Sequence, residues 1–151
     1  MKVGETCKHG VVYVESTASV LDAARKMRTF HVGNLVVIDP ESAPGKRPVG
    51  ILTDRDIAVG IVAKAPEYLE NLRVEEVMTG DLVTISESED IWTAVKRMRE
   101  HGVRRLPVTN PRDSLVGIIS LDDIVGLLAE QLTDLSVVVK RQTDAEHKLR
   151  P

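Results

Sequence analysis

The sequence predicts an α+β protein made of two pseudo-symmetric β-α-β-β-α repeats packed sheet to sheet. Three observations support this prediction. Residues 11–38 match residues 82–109 at a shift of 71, and residues 49–57 match residues 116–124 at a shift of 67. In both copies, strand-like and helix-like spacing of apolar residues follow each other in the same order. A repeat of roughly 50–60 residues buries too little core to be stable alone, so the two copies are expected to pack together.

Each copy begins with a short strand, predicted at 11–14 and 82–85, that leads into an amphipathic helix. Thr17 and Ser88 are expected to cap these helices, because hydroxyl side chains are favoured just before the first turn. The apolar residues of the two helices recur at helical spacing and are Val20, Ala23, Ala24 and Met27 in the first copy and Ile91, Ala94, Val95 and Met98 in the second.

Two more strands follow in each copy, predicted at 35–38 and 49–52 and at 106–109 and 116–119. The loops between them are rich in turn-forming residues, and the loop of the first copy is four residues longer. Because Pro107 has no N–H to donate, it is expected to begin its strand or to lie at a sheet edge.

The predicted organisation is a first repeat with its linker at residues 1–72, a second repeat at 73–132 and a C-terminal helical extension at 133–151. Pro66 is placed to begin a helical linker between the copies. The tail is expected to extend the last helix and then to fray.

The composition indicates a soluble globular protein. Hydrophobic residues make up 42% of the chain and charged residues 28%, with a net charge of −3. That charge, with one Phe, two Tyr and one Trp, argues against general nucleic-acid binding. Cys7 is the single cysteine, which excludes an internal disulfide. No signal peptide or membrane span is recognisable, so a cytoplasmic location is expected.

The sequences VGILTDRDI at 49–57 and VGIISLDDI at 116–124 place Thr or Ser three residues before Asp, directly after a strand. Thr53 with Asp56, and Ser120 with Asp123, can each form a capping box at the start of a helix. The same positions suit a binding site, since a helix N-terminus offers N–H groups to phosphate and a carboxylate can accept hydrogen bonds from a ribose diol. The spacing leaves both interpretations open.

The duplicated pattern resembles a stand-alone tandem pair of cystathionine-β-synthase (CBS) domains, also called a Bateman module, over about residues 3–132. The matching sequences are VEEVMTGDLVTISESEDIWTAVKRMREHGVRRLPV with LVGIISLDDIVGLL, and VVYVESTASVLDAARKMRTFHVGNLVVID with PVGILTDRDIAVGI. The resemblance implies two pseudo-twofold-related clefts that often bind adenine nucleotides or other adenosyl compounds, and a homodimer. It assigns phosphate and ribose contacts to Thr53, Asp56, Ser120 and Asp123.

Arg104 and Arg105 precede a predicted strand, where members of the family often place Arg or His to contact phosphate across the pair. Guanidinium groups suit bidentate phosphate contacts, although a solvated charged pair is the alternative. The first copy has Gly33 and Asn34 at these positions.

The charges around the two motifs are unequal. Arg55 lies inside the first motif, whereas its counterpart in the second is Asp122, next to Asp123. Two adjacent carboxylates repel phosphate unless a cation intervenes. The better nucleotide site is therefore expected at Asp56, with Arg55 and either Arg104 or Arg105 reaching the phosphate.

The leading hypothesis is a non-catalytic regulatory sensor, for example of cellular energy state. It would bind AMP, ADP, ATP or another adenosyl compound between its repeats and relay the ligand state to an unknown partner protein. No enzyme, required cofactor or metal site is expected, because the sequence lacks catalytic and metal-ligand motifs. Cys7 and His9 are interpreted as structural, and Trp92 as partly buried. The alternatives are a ligand-free interaction or dimerisation module and, less favoured, a nucleic-acid binder.

Overall fold

The computed structural model describes residues 1–150, which form two three-stranded sheets and five α-helices, with three short 3₁₀ turns and one π-helical turn, Ala58–Val62, between them. The elements of the first half are β1 (Tyr13–Glu15), α2 (Val20–Phe30), β2 (Asn34–Ile38), β3 (Pro48–Thr53) and α3 (Asp54–Ile57). The elements of the second half are β4 (Ile85–Ser86), α4 (Ile91–His101), β5 (Arg105–Thr109), β6 (Leu115–Ser120) and α5 (Leu121–Leu149). The short helix α1 (Val3–Thr6) precedes both halves.

The two sheets have the same topology, β1-β2-β3 and β4-β5-β6. In each sheet the first strand runs parallel to the central strand, and the third strand runs antiparallel to it. The antiparallel register is interrupted at equivalent places, after Val37 and after Val108. The predicted α+β fold with two repeats is confirmed.

Helices α2 and α4 bury the apolar faces that their spacing predicted, but they begin later than expected. Their N-caps are Ser19, whose Oγ accepts a hydrogen bond from the Asp22 N–H at 3.1 Å, and Asp90, whose Oδ1 accepts from the Trp92 N–H at 2.9 Å. The prediction of Thr17 and Ser88 as caps is therefore wrong. The first buried residue of each helix is also its first helical residue, so the cap lies immediately before it.

Pro107 lies in the middle of the central strand β5, opposite Ile118, so the prediction that it begins a strand or lies at an edge is also wrong. In the first half the equivalent Val36 donates its N–H to the Val12 carbonyl at 3.3 Å and pairs with Tyr13. Proline cannot make this bond. Because Pro107 has no N–H to donate, β4 does not pair with β5 at this position. β4 therefore has only two residues where β1 has three.

The two halves exchange short segments. Val3, which precedes the first half, donates its N–H to Glu89 of the second half at 2.8 Å, and Lys8 pairs with Ile118. Conversely, Val74 donates to Ala18 of the first half at 2.8 Å. Val3 and Val74 are both 0% exposed, each in the core of the half it crosses to. Each folded half therefore contains a segment from beyond the boundary predicted at 72/73, and that boundary stays a prediction.

Helix α5 is much longer than its counterpart α3. Its first turns pack on α4 and β6 through Ile124, Leu127 and Leu128. From Ala129 onwards its residues are exposed, yet the helix continues without a break to Leu149. The helix therefore runs through the C-terminal segment predicted at 133–151 as far as Leu149, without the fraying that was expected there. Although α5 has 29 residues, neither it nor any other helix within residues 1–150 is apolar enough over a sufficient length to cross a bilayer.

Candidate functional site

Both Thr/Ser-x-x-Asp motifs form capping boxes at a strand-to-helix junction. Thr53 Oγ1 accepts a hydrogen bond from the Asp56 N–H at 3.0 Å, and Asp56 Oδ2 accepts from the Thr53 N–H at 2.9 Å. At the second junction, Ser120 Oγ accepts from the Asp123 N–H at 3.1 Å, and Asp123 Oδ2 accepts from the Ser120 N–H at 3.2 Å. The capping interpretation of both motifs is confirmed.

Asp123 has additional partners that Asp56 lacks. The Ser120 hydroxyl donates to its Oδ2 at 2.6 Å, and the Lys8 ammonium lies 3.0 Å from its Oδ1. Lys8 belongs to the N-terminal segment at residues 3–8, which packs on the second half and is called the crossing segment below. The ion pair therefore ties this segment to the first turn of α5. The Asp123 side chain is 21% exposed and that of Lys8 73%, which leaves the ammonium accessible to a ligand.

The environment of Asp123 keeps its carboxyl group ionised. Burial acts to raise the pKa of Asp123, but hydrogen bonds from the Ser120 hydroxyl and from Lys8, together with the positive charge of Lys8, outweigh it. The net effect is a pKa below the ordinary aspartate value. The site therefore presents a carboxylate acceptor and an ammonium donor side by side.

Asp123 borders a cleft of about 280 Å³ between the two halves, which we call the Asp123 cleft. The first half contributes Val32 and Asn34, and the second half contributes Arg105, Ile118 and Ser120. The remaining wall is formed by the chain that leads into β1. The full lining is Lys8, His9, Gly10, Val11, Val12, Val32, Asn34, Arg105, Ile118, Ser120 and Asp123. It combines an apolar wall with two cationic side chains and one carboxylate.

The pseudo-symmetric position holds a much smaller cavity of about 50 Å³, the Ile51 cleft, lined by Ile51, Thr79, Asp81, Leu82, Val83, Val103 and Arg105. Repeat alignment explains the difference in size. Where the Asp123 cleft has Gly10, Val11 and Asn34, the Ile51 cleft has the larger Asp81, Leu82 and Arg105. Thr53 and Asp56 do not line this cavity.

The residues predicted to hold phosphate are distributed differently from the expectation. Arg105 lines both clefts, but Arg104 lies 3.0 Å from Asp122 in its own half, and Arg55 is exposed and lines neither. The structure therefore does not gather Arg55 and Arg104 at the predicted Asp56 site. Binding at Asp56 stays a prediction, and the larger space lies on the Asp123 side.

The predicted repulsion of phosphate at the second motif is offset by two cations. Arg104 pairs with Asp122, and Lys8 pairs with Asp123, both at 3.0 Å. Lys8 was not among the site residues predicted from the sequence. Lys8 lies just before the first predicted strand at 11–14, and nothing local in the sequence showed that this segment crosses to the second half.

His9 lines the Asp123 cleft, Cys7 does not, and both have structural contacts. Cys7 is 7% exposed in the core of the second half, where burial raises the pKa of its thiol. The ring nitrogens of His9 lie 3.0 Å from the Val116 carbonyl and 3.1 Å from the Gly4 carbonyl, which holds the imidazole in place. Across residues 1–150, no cluster of three His, Cys, Asp or Glu side chains is placed to hold a metal ion.

Comparison with known proteins agrees with this architecture. The CBS domain family model matches residues 3–63 and 74–130. An uncharacterized protein of Methanopyrus kandleri is 29% identical over 125 residues. The alignment covers 83% of this chain but only 61% of the length of that protein. The CBS domain-containing protein YhcV of Bacillus subtilis is 31% identical over 122 residues, 81% of each chain.

Among solved structures, the CBS domain pair of protein MJ0100, in complex with 5′-methylthioadenosine and S-adenosyl-L-methionine, superposes with a TM-score of 0.71. The alignment has 24% identity and covers 87% of this chain and 98% of that one. At this identity the similarity is one of fold. With the family model matching two segments in the order of the two structural halves, the chain belongs to the CBS domain family and is a tandem pair of CBS domains.

Proposed function

We propose that this chain is a non-catalytic regulatory module that binds an adenosyl compound, with an adenine nucleotide as the favoured class, in the Asp123 cleft. The observation that carries the proposal is that both halves line this cleft, with Asn34 on one side and Arg105 and Asp123 on the other. A ligand bridging the halves favours one relative arrangement over others, and a partner protein can respond to that shift.

The chemistry of the cleft fits the three parts of a nucleotide. Asp123 Oδ1 can accept hydrogen bonds from a ribose diol once Lys8 releases it, and Lys8 then becomes available to a phosphate. Arg105 supplies a second, planar cation. Val12, Val32 and Ile118 provide an apolar surface for a base. The cavity of about 280 Å³ is close to the lower limit of roughly 300 Å³ for small-molecule sites.

Two lines of support concern different parts of the ligand. The structurally similar MJ0100 domain pair holds adenosyl ligands, which supports an adenosyl class. The choice of a phosphorylated ligand over a sulfonium rests on this chain's own Lys8 and Arg105, because two cations favour an anion and repel a positive sulfonium centre.

The test is a thermal-unfolding series with AMP, ADP, ATP, adenosine, 5′-methylthioadenosine and S-adenosyl-L-methionine at equal concentration. A ligand present at 100 times its Kd stabilises the folded state by about 2.7 kcal/mol, which is easily measured as a rise in Tm. We expect the phosphorylated compounds to raise the Tm most. If none of the six changes the Tm, the ligand-binding proposal fails.

One observation favours a second candidate, a ligand-free interaction module. Both Asp56 and Asp123 already belong to helix capping boxes, so a structural role accounts for their positions without any ligand. On this alternative, Asp123→Ala lowers stability by about 1 kcal/mol, as the loss of a cap does, and changes no ligand response. Titrating the variant and the unmodified protein with AMP separates the two candidates.

A further inference from the structure

The carboxylate of Asp123 has few acceptor positions left for a ligand. An ionised carboxylate offers about four lone-pair positions on its two oxygens. The Ser120 N–H and hydroxyl donate to Asp123 Oδ2 at 3.2 and 2.6 Å, and the Lys8 ammonium lies 3.0 Å from Oδ1. A single position, on Oδ1, therefore remains open. A ribose diol has two hydroxyl groups to donate, so it needs one acceptor position more than these contacts leave free.

Of the groups that occupy Asp123, only Lys8 can leave without undoing a helix cap. The two Ser120 donors belong to the capping box at the start of α5. The Lys8 side chain is 73% exposed, and its ammonium is carried on a flexible four-carbon stem. The backbone of Lys8 is held in place, because it exchanges two hydrogen bonds of 2.9 Å with Ile118. The ammonium can therefore swing away from Asp123 while the crossing segment stays packed on β6.

The competition between Lys8 and ribose for Asp123 acts differently on neutral and on charged ligands. A nucleoside that takes the Oδ1 acceptor positions displaces Lys8 and offers it no new partner, so the lost ion pair opposes binding. A nucleotide brings a phosphate into the same cleft, and the displaced ammonium can pair with it. Arg105 lines the cleft too, and within residues 1–150 it takes part in no ion pair, so it adds a second cation for the phosphate.

The first half has no equivalent of this ion pair. Thr79 bridges Ile51 where Lys8 bridges Ile118, and its side chain carries no charge. Among the described residues, Asp56 accepts one hydrogen bond, from the Thr53 N–H, and forms no ion pair. The occupied carboxylate is thus a feature of the Asp123 cleft and does not follow from the capping box itself.

We propose that Lys8 determines ligand specificity in the Asp123 cleft, because its ion pair with Asp123 opposes the binding of neutral adenosyl compounds and only a phosphorylated one gives the ammonium a new partner. This inference rests on the proposed function and gives Lys8 a role beyond the attraction of phosphate. If Lys8 only attracted phosphate, its removal would leave the affinity for adenosine unchanged. As a competitor of ribose, its removal strengthens adenosine binding and weakens nucleotide binding.

The test is isothermal titration calorimetry of the full chain with adenosine and with AMP, on the unmodified protein and on Lys8→Met. Methionine keeps an unbranched apolar side chain and removes the charge. We expect the Kd for adenosine to fall about fivefold, as for one hydrogen bond gained. The Kd for AMP should rise at least about tenfold, as for the loss of a hydrogen bond to a charged group. These opposite changes distinguish the two roles of Lys8.

Two further variants are the controls. Lys8→Arg keeps a positive charge on a long side chain, so it should retain a preference for AMP over adenosine that Lys8→Met loses. Lys96→Met removes an exposed lysine of α4 that lies 3.8 Å from Glu100 and does not line the cleft. It should change neither Kd, because exposed ion pairs contribute little.

The outcomes separate this inference from the function on which it rests. An adenosine Kd that is unchanged or raised in Lys8→Met, or adenosine binding too weak to detect in that variant, overturns the specificity role of Lys8. If AMP binds the unmodified protein in the same experiment, the proposed function still stands. If neither adenosine nor AMP binds any of the four proteins, the proposed function fails and this inference fails with it.

Discussion

Replacing Gly117 by alanine tests how the crossing segment is held against the second half. A Cβ atom built on Gly117 lies 2.6 Å from Cys7 Sγ and 2.8 Å from the Lys8 carbonyl oxygen. Favourable contacts between such atoms need about 3.5–4.0 Å, so the crossing segment must move by about 1 Å. The obstacle is partly backbone, and it cannot be relieved by rotating a side chain.

The energetic cost follows from what that movement disturbs. Lys8 and Ile118 exchange two backbone hydrogen bonds of 2.9 Å, and both are stretched when the segment moves away from β6. Overpacking a core costs about 1–3 kcal/mol, and each weakened hydrogen bond adds about 0.5–1.5 kcal/mol. We expect Gly117→Ala to lower the free energy of unfolding by about 3 kcal/mol, which lowers the Tm by roughly 10 °C for a chain of this size.

The assay is urea unfolding followed by circular dichroism, with Gly126→Ala as the control. Gly126 lies inside α5, and a Cβ there meets no atom within 4 Å. Alanine at this position should raise the free energy of unfolding by about 0.5–1 kcal/mol, because it removes backbone freedom from the unfolded chain and favours the helix. If Gly117→Ala is as stable as the unmodified protein, the crossing segment is not packed as described.

Three further outcomes follow from the site and its supports. Ser120→Ala removes an N-cap and should lower the free energy of unfolding by about 1 kcal/mol in urea. Because the pKa of Asp123 is lowered on folding, its carboxylate stabilises the fold above the ordinary aspartate pKa of about 3.9. That contribution is lost as the pH falls through the lowered pKa. The difference in stability between the unmodified protein and Asp123→Asn, measured by thermal unfolding at a series of pH values, should be constant near pH 6 and should shrink below about pH 4. The Arg97 guanidinium donates to the Thr84 carbonyl at 2.8 Å and to Glu89. Arg97→Met should lower the free energy of unfolding by about 1 kcal/mol, whereas Arg25→Ala, at an exposed ion pair, should leave it almost unchanged.

The fold was predictable because the sequence patterns that specify its helices and strands are local and occur in both repeats. Helical spacing over Val20 to Met27 and alternation of strand and turn residues recur in both copies, so each interpretation had an independent check. The prediction for Pro107 was wrong because it assumed that every residue of a central strand pairs with both neighbouring strands. Only under that assumption does a proline have to lie at an edge or at the start of a strand. Here the neighbouring strand β4 is short, and the pairing that β1 makes opposite Val36 has no equivalent at Pro107.

The candidate site was predictable only in part. Asp123 and Ser120 stand in a recognisable motif, but the role of Lys8 depends on a segment that crosses from one half to the other. No local pattern of charge or spacing encodes such a crossing. The unequal clefts likewise depend on which side chains the fold brings together, since Arg105 occupies in one cleft the position that Asn34 occupies in the other.

Isothermal titration calorimetry with AMP on the unmodified protein, Asp123→Asn and Asp56→Asn is the most direct test of the central claim. Both substitutions replace a carboxylate by an amide whose oxygen can still accept the capping hydrogen bond, and only Asp123 lines the cleft to which the ligand is assigned. Loss of the carboxylate at Asp123 should weaken AMP binding at least about tenfold, as expected for a hydrogen bond to a charged group, whereas Asp56→Asn should leave the Kd unchanged. Binding that survives Asp123→Asn but is lost in Asp56→Asn would contradict the assignment of the ligand to the Asp123 cleft.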